Sequence, residues 1–407
     1  MRCLLAWCLT FVVSASVQTP PFELPAPTGK FPIGTTQWVV TDRSRDEIFA
    51  TTKKRDVEIV AWYPREEGAQ GVASAPYLRD GLEEVQSFAR LAKLGDAWDG
   101  LSAVKTHAII DAEPLRSPAR LPVIVFQHGF TGLPSSHTAL MEDLASHGWI
   151  VLNLIHPYEA TGARLADGTI VSHTDEHHAL RKPIADVFSE WGPEGPTMEK
   201  ITAAADDREK EQLMRAYLAT LTNTNLVVKR WTLDVKYALD HLPASGPAGR
   251  VAAKIDINRL GVAGHSMGGV AGAEFCVDDR RCKAALNLDG IPQYGSMIDT
   301  PMPAPFLMVY SARAGRAGAS DIIYRRSASK YYRVDVSETL HLDFTDMNFW
   351  GGPLRERGAY GKIEPTRAAA ITRLIVREFF SQEVLGRPSA LLRGDTSERG
   401  VTVSRQK

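Results

Sequence analysis

The chain lacks a charge of one sign: 47 Lys and Arg stand against 48 Asp and Glu over 407 residues, a formal net charge of −1. Near-neutrality leaves no electrostatic footprint for nucleic acid or an anionic membrane, and no basic stripe interleaved with aromatics compensates. Cysteine is scarce, with Cys3, Cys8, Cys276 and Cys282 alone. Their spacing and number exclude a CxxC redox site and a zinc site. The N-terminal apolar run, Leu4 to Val13, is too short and wrongly flanked for a lasting membrane span. There is no internal repeat.

That run instead reads as the h-region of a signal peptide, after the positive Arg2 and before a cut following Ser14-Ala15-Ser16. Cys8 comes too early to be a lipid-attachment site. Export to the periplasm or beyond is therefore expected. Cleavage leaves Cys276 and Cys282, a pair that a disulfide would join in an oxidising compartment; two buried free thiols are the alternative. The expected organisation is a signal peptide at 1–16, one domain over 17–386 with a cap insertion at about 157–226, and a mobile tail at 387–407.

Residues 17–32, with five prolines, read as an extended arm. Ile33 to Val40 and Val57 to Tyr63 have the pattern of an antiparallel pair, and Pro76 to Leu101 that of a helix. Leu121 to Phe126, Trp149 to Ile155, Lys283 to Leu288, Phe306 to Tyr310 and Tyr331 to Val336 are short, continuously apolar or β-rich runs. Helical patterns at Thr138–His147, Lys229–Leu242 and Pro365–Leu385 lie between or after them. Apolar strands alternating with helices predict a mostly parallel, doubly wound α/β sheet with helices on both faces. From Pro157 to Leu226 the rhythm breaks into a polar stretch with a charged helix near Asp206–Leu218, read as a cap over the carboxyl edge of the sheet.

Within that frame stands Gly264-His265-Ser266-Met267-Gly268, between the apolar Arg259–Ala263 and the small-residue run Gly269–Ala273. This is the strand–turn–helix context of a nucleophile elbow. A serine hydroxyl needs a base, and the base needs an acid. His341 is the only histidine after Ser266. Asp289, directly after the strand Lys283–Leu288, is the preferred acid. Asp321 is its rival, some ten residues beyond the strand ending at Tyr310, while Asp343 and Asp346 follow the histidine too closely. His265 reads as a packing residue. Oxyanion donors are expected from the backbone N–H groups of Met267 and of Phe130, in His128-Gly129-Phe130-Thr131-Gly132. His173-Thr174-Asp175-Glu176-His177-His178 fits no metal-binding spacing and reads as a solvated loop. Trp191 and Trp231 read as core or pocket rim. No metal or cofactor is expected.

The runs Leu121-Pro122-Val123-Ile124-Val125-Phe126-Gln127-His128-Gly129, Asp143-Leu144-Ala145-Ser146-His147-Gly148 and Gly264-His265-Ser266-Met267-Gly268-Gly269 resemble the plasma-type platelet-activating factor acetylhydrolase family and its exported bacterial relatives. The resemblance spans about Ile33 to Leu385, the insertion apart. It implies an α/β-hydrolase fold, an acid after the strand next to the nucleophile, and oxyanion donors at Phe130 and Met267. His341-Leu342-Asp343-Phe344-Thr345-Asp346 is similar to the family's segment after its histidine. His156-Pro157-Tyr158-Glu159 departs from the family's His-Arg-Asp. The implied activity is serine carboxylic-ester hydrolysis through an acyl-enzyme, on small or lipid esters with short or oxidised acyl groups, platelet-activating-factor-like phospholipids among them. Acyl transfer or peptide hydrolysis would use the same triad, and a non-catalytic binding protein is the remaining reading.

Overall fold

The computed structural model describes residues 21–50, 52–68, 71, 73–117, 119–173, 181–290, 295–316, 318–395 and 397–406. The signal-peptide segment and most of the polar run 173–178 lie outside them. Thirteen strands are β1 (Ile33–Asp46), β2 (Lys54–Pro64), β3 (Ser74–Pro76), β4 (Lys105–Ile110), β5 (Leu121–Gln127), β6 (Ile150–Ile155), β7 (Ala163–Arg164), β8 (Ile170–Val171), β9 (Ile255–His265), β10 (Cys282–Leu288), β11 (Phe306–Tyr310), β12 (Tyr331–Val336) and β13 (Val401–Gln406). Eleven form one sheet in the order β13-β12-β11-β10-β9-β5-β6-β2-β1-β4-β3, and β7 pairs with β8 separately. The run from β6 through β12 is parallel, and β2 joins β6 antiparallel. β6 is buried along its whole length and β5 along all but its first residue, as a strand covered on both faces must be.

The helices include α1 (Glu83–Leu91), α2 (Thr138–Ser146), α3 (Arg181–Trp191), α4 (Glu194–Ala203), α5 (Asp207–Leu218), α6 (Thr222–Asp240), α7 (Gly246–Ala252), α8 (Met267–Asp278) and α9 (Asp321–Ser327), and later a long helix at Pro365–Glu383. The last packs on α2, and α6 packs on α8. Trp149, Phe379 and Phe380 belong to one buried cluster; Val235, Ala238 and Phe275 belong to another. Cys276 and Cys282 are joined by a disulfide, tying the last turn of α8 to the start of β10.

Three expectations need correction. The helix expected over Pro76–Leu101 is confined to α1, because Gly81 before it and Lys93 and Gly95 after it adopt left-handed φ angles of 69°, 54° and 58°. α6 begins seven residues earlier than its periodicity indicates. Glu190 of α3 accepts the Asn223 and Thr224 N–H groups at 2.7 and 2.9 Å, satisfying donors that a helix start leaves open. The stretch expected to be a mobile tail instead carries a strand: Val401–Gln406 pairs antiparallel with β12, and Ser337 N–H donates to Gly400 O. The alternation Val401-Thr402-Val403-Ser404 carries that strand, with both valines packed on the core. At the other end the proline-rich arm is pinned, since Arg373 donates to the carbonyls of Pro25 and Ala26 at 2.7 and 3.0 Å.

Candidate active site

β5 and β9 are parallel neighbours, with Gln127 opposite Gly264. The chain runs from β5 out to β6 and later resumes at β9 on β5's other side, so the crevice between their carboxyl ends is the switch point of the sheet. Ser266 stands there between β9 and α8 at φ 55°, ψ −125°, a conformation costly for a residue with a Cβ. The surroundings hold it: Ser266 N–H donates to Leu288 O at 2.9 Å. Glycine is required on both sides. A Cβ on Gly264 would lie 2.2 Å from the Gly268 carbonyl carbon, and one on Gly268 would lie 2.4 Å from the carbonyl oxygens of Gln127 and His128.

Asp289 leaves β10 at φ 51° and is fastened by its own N–H to Val309 O at 2.8 Å. Its Oδ2 accepts from His341 Nδ1 at 2.8 Å, and its Oδ1 from Ser311 N–H at 2.9 Å. Burial alone would raise the Asp289 carboxyl; the His341 hydrogen bond and the charges of His341 and Arg313 hold it below the usual range. The ionised carboxylate keeps the His341 proton on Nδ1, leaving Nε2 as the basic atom. Burial and the Arg313 and Arg316 charges outweigh Asp289 and hold the His341 pKa below that of a free imidazole. His341 lies directly against the residue before the serine: its ring is 4.3 Å from that of His265, and His265 Nε2–H donates to the His341 carbonyl at 3.0 Å. His265 thus does more than pack. Burial pushes its pKa far down, so it serves as a neutral donor.

The rival acids are engaged elsewhere. Asp321 accepts from the Tyr310 and Tyr331 hydroxyls and from Arg333. Asp343 Oδ2 takes the Leu340 and Gly361 N–H groups and so shapes the turn that presents His341. Asp346 accepts from the Ala139 N–H.

The loop after β5 lies beside the serine, where a Cβ on Gly129 would sit 3.2 Å from Ser266 Cβ. Neither the Phe130 nor the Met267 N–H meets a protein acceptor among the described residues. The loop is built on neutral His128, whose Nδ1–H donates to Gly129 O at 2.7 Å while Nε2 accepts the His156 N–H at 3.2 Å. Burial, with His156 nearby, pushes the His128 pKa down to about 3. Thr131 N–H donates to Glu159 O at 2.8 Å, tying the loop to the segment after β6.

Beneath that segment lies an ionic cluster that sequence reasoning missed. Buried Arg55 reaches Asp234, Glu47 and Glu159, at 2.6, 2.9 and 3.3 Å. Glu159 also takes Arg230 and the Trp231 indole N–H, and Asp234 takes His156 Nδ1–H at 2.8 Å. α3 brings Phe188 and Trp191 to 5.7 and 5.6 Å from the Phe130 ring. Trp231 is wholly buried behind it. Arg313, also missed, contacts Asp289. His156, Glu159 and Arg313 each follow closely on the carboxyl end of a parallel strand, and that position was the available signal. No group of His, Cys, Asp and Glu among the described residues could hold a metal, and none of their helices is long and apolar enough to cross a membrane.

Residues 16–386 match the family model of platelet-activating factor acetylhydrolase, isoform II. The chain is 22% identical over 352 residues to platelet-activating factor acetylhydrolase of Cavia porcellus, covering 81% of this chain and 70% of that protein. It is 20% identical over 371 residues to the same enzyme of Gallus gallus, covering 86% and 81%. A ferulic acid esterase from Streptomyces cinnamoneus shares its fold, with a TM-score of 0.68 and 27% identity over 94% of this chain and 98% of that one. Its mostly parallel sheet is that of the α/β hydrolases, and the protein is a carboxylic-ester hydrolase belonging to the platelet-activating factor acetylhydrolase isoform II family.

Proposed function

We propose that the chain hydrolyses short-acyl esters through an acyl-enzyme on Ser266, with platelet-activating-factor-like or oxidised phospholipids as the lipid candidates. The observation that carries this reading is the Asp289–His341 hydrogen bond of 2.8 Å, set beside a serine held at positive φ. Ser266 Oγ attacks the ester carbonyl carbon as its proton passes to His341 Nε2. The tetrahedral oxyanion falls to the N–H groups of Phe130 and Met267, each such donor supplying about 3 kcal/mol of transition-state stabilisation. The imidazolium, held by Asp289, returns the proton to the departing alcohol. Water then repeats the sequence and frees the acid. Processing after Ser16 and export complete the proposal, and the mass of the mature chain tests that part.

A series of p-nitrophenyl esters of increasing acyl length, with wild type against Ser266→Ala, tests the reading. Wild type is expected to fall steeply beyond about four carbons, since each methylene a pocket cannot seat costs roughly 1–3 kcal/mol. Ser266→Ala is expected to be inactive and to lose labelling by a fluorophosphonate. Unchanged turnover in Ser266→Ala refutes the mechanism, and flat activity out to long chains refutes the short-acyl pocket. An aromatic acyl ester is the second reading, favoured by the wall of Phe130, Phe188 and Trp191 and by the likeness to a ferulic acid esterase. Methyl ferulate turned over faster than p-nitrophenyl acetate would select it.

A further inference from the structure

We propose that Arg313 is a positioning residue of the triad, a fixed counter-charge on Asp289 that keeps His341 a free base at mildly acidic pH. The inference rests on the reading of Ser266, His341 and Asp289 as the reacting groups.

Arg313 Nη2 lies 2.5 Å from Asp289 Oδ2, the same oxygen that accepts from His341 Nδ1 at 2.8 Å. Nη2 also donates to the Asp289 carbonyl at 3.1 Å, and Nε to Ser311 Oγ at 3.1 Å. Ser311 closes the ring through its own N–H on Asp289 Oδ1. The guanidinium is therefore fixed at three points. Its side chain is only 22% exposed, and Asp289 is the only carboxylate it contacts among the described residues.

An Asp–His pair alone places a full negative charge against the imidazole and favours its protonation. A cation on the shared oxygen cancels part of that charge. The groups facing His341 are Asp289 after β10, Arg313 and Arg316 in the loop after β11, His265 at the end of β9, and His137 before α2. Buried His137 and His265 are neutral. Arg316 pairs with Glu194 of α4 and not with Asp289. Arg313 has the triad acid itself as its counter-ion. That arrangement lets the base remain unprotonated further into the acid range and stabilises the imidazolium less once it forms.

The test is kcat/KM against pH for p-nitrophenyl acetate, on the full chain, comparing wild type with Arg313→Gln, Arg313→Met and Arg313→Lys. Loss of the cation is expected to move the acidic limb up by about one pH unit, so that activity below both limbs falls about tenfold relative to the plateau. Arg313→Met keeps the aliphatic stem and reads the same shift should the glutamine variant fail to fold. Arg313→Lys retains a charge and is expected to leave the limb within a few tenths of a unit of wild type. A uniform loss at every pH in all three variants, with the limb unmoved, overturns the inference and reduces Arg313 to a loop fastener. Turnover that survives Ser266→Ala would instead sink the triad reading and this inference together.

Discussion

Glu159→Gln tests whether the ionic cluster below the β6 loop holds the loop after β5, the proposed oxyanion loop, in place. The Glu159 carboxylate is fully buried and takes Arg55, both reachable nitrogens of Arg230, and the Trp231 indole N–H at 2.9 Å. Glutamine keeps the size, removes the charge and turns an amide NH2 toward guanidinium groups. Removing one partner of a buried ion pair costs about 3–5 kcal/mol. Here Arg55 retains Asp234 and Glu47, and Arg230, with 14% of its side chain exposed, can recover some water. Both facts place the loss at the low end, about 3 kcal/mol. At ~2.1 cal/mol/K per residue, a chain of this length has an unfolding entropy near 0.85 kcal/mol/K, so the melting temperature should fall by about 4 °C. The Glu159 carbonyl receives Thr131 N–H, one residue beyond Phe130, so a displacement there would reach the N–H proposed as an oxyanion donor. The expected loss in kcat is roughly ten- to a hundredfold, less than removal of a whole donor, with KM nearly unchanged. Thermal denaturation and p-nitrophenyl acetate kinetics on the same preparation read both. A variant that melts within 1 °C of wild type, or melts lower with kcat intact, refutes the coupling between cluster and loop.

Two further outcomes follow from buried groups away from the chemistry. Burial, then the charge of Asp80, pushes the Glu58 carboxyl up to about 8. The folded state therefore holds this proton more tightly than the unfolded chain, and the stabilising contribution is lost as pH rises from about 4.5 through about 8. Glu58→Gln should match wild type at pH 5 and melt several degrees higher at pH 9; parallel melting curves against pH would exclude this. Replacing Cys276 and Cys282 together by alanine opens a loop with a sequence separation of 6 and should cost about 2 kcal/mol, while kcat stays within about twofold. An unchanged melting temperature would show that the link contributes nothing.

The parallel part of the fold was legible because its strands are covered on both faces and read as continuous apolar runs. The elbow was legible because backbone contacts at Gly264 and Gly268 admit no side chain. Asp289 could be preferred over Asp321 from its place after β10, and Asp321 turns out to serve two tyrosines and Arg333. What sequence reading missed depends on partners distant along the chain. Arg55 and Asp234 are 179 residues apart, and Arg313 is 24 residues from the carbonyl it holds. The start of α6 was misplaced for the same reason, since its cap is a glutamate 33 residues earlier, on another helix. The C-terminal strand is a different case: its alternation was visible, and the polarity of the surrounding segment masked it.

Arg55 and Arg313 use similar guanidinium–carboxylate contacts to opposite ends. Arg55 is 1% exposed and places its charge against three buried carboxylates. Such a cluster has no reason to respond to the charge forming on His341, and its effect on catalysis is geometric, through the loop that carries the Phe130 N–H. Arg313 and His341 meet the same Asp289 oxygen, so on the proposed mechanism its charge would enter every protonation step of His341. The two supports should therefore separate kinetically: damage to the first lowers kcat equally at every pH, and damage to the second displaces the pH profile. The departure at His156-Pro157-Tyr158-Glu159 falls on the first support alone. His156 and Glu159 sit in that cluster, on Asp234 and Arg55, and neither contacts Asp289 or His341.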